Sequence, residues 1–113
     1  MHTCSHAVVG CMDFRIQKTV SNLLEHLKVH EGTFDRVTFA GGAANKEQLK
    51  HHLELSKRLH DSGMAILSVH EDCGAGAKKE DLYEAAETAR SLGYDPKMFY
   101  IKLDGTWEEV KPA

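Results

Sequence analysis

No stretch of this 113-residue chain approaches the roughly 18 consecutive apolar residues that a membrane-crossing helix needs. Neither sign of charge dominates. The formal net charge is -3, which gives nucleic acid or an anionic membrane surface no electrostatic hold. No basic segment followed by an apolar one opens the chain, so a secretory leader is not expected. The expected place of action is the cytosol. Cysteine is scarce and odd in number, at three, which argues against a disulfide framework. A reducing compartment keeps such thiols free for metal binding or catalysis. Internal repeats, low-complexity tracts and linkers are absent too. The length is that of one domain, residues 1–113, with enough chain to bury a core.

What the chain does contain is an alternation of short apolar runs and helical patterns. Ala7 to Cys11 is a brief apolar run that suits a buried strand. Thr19 to Val29 follows, with Val20, Leu23, Leu24 and Leu27 on one helical face. Gly32 is placed to end that helix in the left-handed conformation. Phe34 to Ala40 reads as a second strand, closed by Gly41-Gly42. Asn45 to Gln48 resembles a capping box, with Asn45 as N-cap and Gln48 reaching back. The helix it starts carries Leu49, Leu53 and Leu59 and is expected to stop at Gly63. Met64 to Val69 is a third strand. Glu80 to Leu92 is a third helix, with Leu82, Ala85, Ala86 and Ala89 inward and Gly93 at its end. Phe99 to Ile101 is a fourth strand. Asp104-Gly105 is a hairpin signal that folds Thr106 to Val110 back as a short antiparallel edge. The alternation predicts an α/β three-layer sandwich around a mainly parallel four-stranded sheet.

Two motifs stand at the ends of predicted strands. Cys11-Met12-Asp13-Phe14-Arg15 follows the first, and His70-Glu71-Asp72-Cys73-Gly74 follows the third. Two cysteines and one histidine make a three-ligand set for Zn²⁺ that leaves a fourth position open. Either motif alone is weak, because a cysteine after a strand is usually a small hydrophobe and an Asp near an Arg is usually a surface pair. Together they point to Cys11, His70 and Cys73 as metal ligands. Two thiolates and a neutral imidazole cancel the charge of Zn²⁺, and water in the open position becomes a nucleophile near neutral pH. Asp13 is placed to accept a hydrogen bond from that nucleophile, and Arg15 to hold Asp13 ionised and oriented. In the turn after His70, Gly74 is expected to let the backbone bend.

C-x-D-x-R followed by H-x-x-C-G resembles the β-class carbonic anhydrases. The resemblance implies zinc-bound hydroxide attacking carbon dioxide to give bicarbonate. It carries over Cys11, His70 and Cys73 as zinc ligands and Asp13 with Arg15 as the catalytic dyad. It allows Asp13 itself to ligate zinc in a resting state. It also supports the strand order 2-1-3-4, in which strands one and three are neighbours and Cys11 and His70 meet at a crevice. Self-association, most simply as a homodimer, is expected of so small a chain.

The pattern departs from the family in places. The helical arm usual before the first motif has no counterpart, nor has the glutamine usually supplied from that region. The usual R-N-A-G after strand two stands here as Phe39-Ala40-Gly41-Gly42. Two other readings therefore stay open: a zinc hydrolase of carbonyl sulfide or carbon disulfide, and a zinc-stabilised binding or regulatory module without turnover. His6 is a candidate for a proton route, and Asp72 for capping the turn it precedes. The glycine-rich run Gly74 to Lys79 matches no nucleotide fingerprint and is read as shaping the metal loop. Most of His2, His6, His26, His30, His51, His52 and His60 are read as solvated helix faces. Cys4 with His2 or His6 lacks further ligands and is read as part of a frayed terminus.

Overall fold

The computed structural model describes residues 2–112. Its elements run β1 (His6–Cys11), α1 (Gln17–His26), β2 (Phe34–Phe39), a short 3-10 turn (Gly42–Ala44), α2 (Lys46–His60), β3 (Met64–His70), α3 (Asp81–Ser91), β4 (Asp95–Ile101) and β5 (Trp107–Val110). The five strands form one sheet in the order β2-β1-β3-β4-β5. The first four are parallel, and β5 returns antiparallel along β4 through the Asp104-Gly105 turn. The α/β class, the 2-1-3-4 order and the antiparallel edge thus agree with the reading of the sequence.

Both faces of the central strands are covered, so their apolar runs are continuous rather than alternating. Val9 and Leu67 face α2 and α3, where they pack with Leu49, Leu53, Leu82 and Ala86. Val8 and Ile66 face the other way and pack with Ile16, Leu23, Leu24 and Phe99. The inward residues expected of α3, Leu82, Ala85, Ala86 and Ala89, are all buried. Leu59 is not a core residue: it is 48% exposed.

The helix ends differ in detail from the expected stops. α1 ends in a pair of bonds, Lys28 N–H to Glu25 O at 3.0 Å and Val29 N–H to Leu24 O at 2.9 Å. That is a Schellman motif, and its left-handed residue is Lys28, at φ 61°, not Gly32. α2 stops at Asp61, which takes φ 51°, so Gly63 has no part in the stop. α3 closes as expected, with Gly93 at φ 91°. Capping of α2 is one-sided: Asn45 Oδ1 accepts from the Gln48 N–H at 3.3 Å, while its amide donates to Ala40 O at 3.0 Å.

Gly42 is the most closely packed of the glycines. A Cβ there would lie 2.6 Å from Ser68 O and 2.9 Å from Cys11 N, and the residue already has φ 54°. The turn after β2 therefore rests directly on the ends of β1 and β3. Gly42→Ala is expected to cost about 2 kcal/mol or more, a fall in Tm of roughly 8 °C or more for a domain of this size. Gly63→Ala, with open space around it, is the matched control and should leave Tm nearly unchanged in the same thermal melts. Equal melting of the two variants would refute this assignment.

Candidate metal centre

The parallel pairing of β1 and β3 aligns Val9 with Leu67, so the two strands deliver Cys11 and His70 side by side at their carboxyl ends. The chain then bends through Asp72, in the left-handed region at φ 55°, and brings Cys73 back over His70. Gly74 is not the bend. It has no positive φ and open space where a Cβ would be. Cys11 is 6% exposed and His70 1%; Cys73 is half-buried.

One donor atom from each of Cys11, His70 and Cys73 lies within 4.8 Å of the other two. All three cysteines of the chain are free thiols. His70 Nδ1 is 2.7 Å from Glu71 O, and a carbonyl can only accept. Nδ1 therefore carries the proton, and Nε2 presents a lone pair. That Nε2 is buried and, among the described residues, has no hydrogen-bond partner, a costly state for a polar atom unless a ligand completes it. Metal bonds of about 2.0 to 2.3 Å require only a small contraction of this triangle. The donor set, two sulfurs and one imidazole nitrogen, fits zinc.

The loop after Cys11 organises itself. Asp13 Oδ1 accepts the Arg15 backbone N–H at 2.8 Å, an Asx turn that the two-residue spacing permits. The Arg15 guanidinium then closes on the same carboxylate, Nε to Oδ1 at 3.1 Å and Nη2 to Oδ2 at 2.8 Å. These side-chain bonds, joined by the backbone bond, hold the Asp13 carboxyl well below the usual carboxylate range. The same bonds, with help from Asp72, push the Arg15 guanidinium above its ordinary value. Asp13 is thus a fixed anion whose Oδ2 stands 3.7 Å from His70 Nε2. It lies beside the three mutually close donors and is not one of them.

Two further residues join the site. Arg15 also reaches across to the second motif, Nη1 to Asp72 Oδ2 at 3.2 Å and Nη2 to Asp72 O at 3.0 Å. Asp72 therefore ties the two motifs together, beyond shaping the turn it was expected to cap. Gln17 Nε2 donates to Cys11 O at 3.0 Å and Asp13 O at 2.8 Å, pinning the first loop. Its position two residues after Arg15 was the only sequence signal. His6, in contrast, opens β1 at the other end of the strand, about 16 Å away at the usual strand rise. It is too far to serve this site as a direct proton route.

A family described as "Putative carbonic anhydrase" matches residues 1–110. No curated protein sequence matches closely enough to count as a relative. Among solved structures, a carbonic anhydrase from Streptococcus mutans is similar at 18% identity and a TM-score of 0.64, covering 98% of this chain and 86% of that one. A carbonic anhydrase from Glaciozyma antarctica is similar at 17% identity and a TM-score of 0.66, covering 98% and 85%. A beta-carbonic anhydrase, isoform I, from Trichomonas vaginalis is similar at 16% identity and a TM-score of 0.67, covering 99% and 86%. These likenesses show a shared fold, and the family match spans nearly the whole sequence: the chain belongs to the carbonic anhydrase family of enzymes.

Proposed function

We propose that this protein catalyses the reversible hydration of carbon dioxide to bicarbonate, with Zn²⁺ held by Cys11 Sγ, His70 Nε2 and Cys73 Sγ. The observation that carries the reading is the buried, partnerless Nε2 of His70 facing two thiols, beside a carboxylate already claimed by Arg15. Zinc, when bound, supplies a nucleophile at neutral pH by lowering the pKa of a water in its open position to about 7.

Asp13 and Arg15 do the rest of the work assigned to them. Kept ionised by Arg15, Asp13 can only accept a hydrogen bond, so it selects an attacking oxygen that still carries a proton and aims its lone pair at the carbon. Arg15 fixes the carboxylate in two directions and occupies both of its oxygens. That contact supports an arrangement in which Asp13 leaves the fourth position to solvent. A purely structural zinc site usually closes with a fourth protein ligand and has no use for such a dyad. The non-catalytic module is therefore the weaker reading. The sulfur-analogue reading uses the same residues and differs only in substrate.

We further propose one domain over residues 1–113, acting in the cytosol, where free Cys11 and Cys73 persist as ligands. Among the described residues, no helix is long and apolar enough to cross a membrane. A homodimer is proposed because the loop of the first motif exposes Met12 at 64% and Phe14 at 86%. A twin covering that loop would bury both and shelter the site.

Cys11→Ser is expected to lose zinc and stopped-flow carbon dioxide hydration together. Asp13→Asn should retain zinc by metal analysis while turnover falls by about 10²-fold or more; full activity in that variant would remove Asp13 from the mechanism. Comparing the parent's rates on carbon dioxide and carbonyl sulfide decides the substrate.

A linked prediction concerns acid. The depressed folded-state pKa of Asp13 stabilises the protein above the ordinary carboxylate value, about 3.9. That stabilisation is lost as pH falls through the folded-state value. Arg15→Gln is therefore expected to be less stable than the parent at neutral pH, with the gap narrowing below about pH 4. Urea unfolding at both pH values measures it, and a gap independent of pH would contradict the assigned pairing.

A further inference from the structure

At the amino-terminal end of the sheet, opposite the candidate metal centre, a second set of donors converges. Cys4 Sγ, one carboxylate oxygen of Asp35 and one ring nitrogen of His60 lie within 4.8 Å of one another. They come from three separate segments: the lead-in to β1, the second residue of β2 and the last residue of α2. Cys4 is no frayed end. Its N–H donates to His60 O at 3.0 Å, and the Ser5 N–H donates to Thr33 O at 2.9 Å. His60 is not a solvated helix residue either. Its side chain is 27% exposed, and its Nδ1 lies 2.7 and 3.0 Å from the two oxygens of Asp35.

The carboxylate is supported from behind. Ser56 Oγ donates to Asp35 Oδ2 at 2.6 Å, Ser56 Oγ meets Ser62 Oγ at 2.7 Å, and Ser62 Oγ meets Tyr94 Oη at 2.9 Å. Tyr94 Oη donates in turn to Leu53 O at 2.6 Å. Ser56, Ser62 and Tyr94 are all buried. Such a supporting chain fixes the ionised carboxylate in one orientation, as hydrogen-bonded outer groups do for metal ligands. The fourth neighbour is His2, whose ring centroid is 4.9 Å from that of His60. His2 precedes Cys4 by two residues, so one backbone segment brings both side chains.

We propose that Cys4, Asp35 and His60 form a second site for a divalent transition ion, Zn²⁺ first, with His2 placed to complete four ligands. One sulfur, one or two imidazole nitrogens and one carboxylate oxygen are the mixed donors zinc takes in tetrahedral sites. The proton now shared between His60 and Asp35 occupies the place the cation would take. Donors around a tetrahedral zinc stand about 3.3 to 3.7 Å apart, so this pair opens by less than about 1 Å. Both side chains are partly exposed and can do so. The site is about 23 Å along the chain direction from Cys11 at the usual strand rise. It therefore acts on the fold and not on the reaction, clipping the lead-in of β1 to the end of α2. The proposal stands independently of the reaction assigned above.

The test is metal content and a cobalt spectrum, neither of which needs activity. After desalting, the zinc-loaded parent is expected to hold two equivalents per chain, and Cys4→Ser one, with carbon dioxide hydration unchanged in that variant. Cobalt(II) added to the Cys11→Ser/Cys73→Ser double variant is expected to give a thiolate-to-cobalt charge-transfer band, because Cys4 is then the only thiol. Adding Cys4→Ser should abolish the band. Should the double variant not fold by circular dichroism, cobalt titration of the parent decides, with the thiolate band rising to two equivalents. A metal content in the parent that Cys4→Ser does not lower overturns the proposal. A band unaffected by Cys4→Ser does so too, and the cluster is then only a hydrogen-bonded staple.

Discussion

The parallel pairing of β1 with β3 is the constraint from which the candidate active site follows. Right-handed crossovers send β1 to β2 past one face of the sheet and β2 back to β3 past the other. The packing records this: α1 lies with Val8 and Ile66, and α2 with Val9 and Leu67. The winding reverses between β1 and β3, so no helix connection fills the space beyond their carboxyl ends. Cys11 and His70, 59 positions apart in the numbering, end neighbouring strands only because of that reversal. The glycine turn after β2 is seated in the same cleft. Gly42 lies so close to Ser68 O and Cys11 N that any side chain there would push the two strand ends apart.

A single guanidinium then holds together what the sheet has placed. Arg15 meets Asp13 within its own loop and Asp72 in the other. Its charge lies between two anions, which lets both carboxylates stand close to a site built from thiols. The loop is further pinned by Gln17 and by Met12 N–H to Phe39 O at 3.2 Å. The first loop is thus tied to β2 through Met12, to the start of α1 through Gln17 and to the second motif through Arg15.

What the sequence disclosed depended on how local the physics was. The alternation of strand and helix, the inward face of α3 and the Gly93 stop were legible, because each is decided within one turn of chain. The two motifs were legible because their spacing is chemical. The Lys28 and Asp61 helix stops were not, since a left-handed residue other than glycine is chosen by where the next strand must begin. Arg15 to Asp72 spans 57 positions and His60 to Asp35 spans 25; neither partner carries a local mark of the other. His60 read as solvent-facing for that reason, and Cys4 read as frayed because its anchors, His60 O and Asp35, arrive from α2 and β2.

Parallel strands gather distant residues at both ends of a sheet, so clustering alone does not make a site. The two ends differ in what is left unsatisfied. At the carboxyl end, His70 Nε2 is buried and partnerless, so a cation there completes a group that already bears the cost of desolvation. At the amino end, His60 and Asp35 satisfy each other, and a cation must displace that bond before it gains its own. The fold thus leaves a donor open at the first proposed centre, while a cation at the second would have to replace an existing hydrogen bond. If both proposed sites bind metal, limited metal would fill the centre at Cys11, His70 and Cys73 before the clip at Cys4, Asp35 and His60.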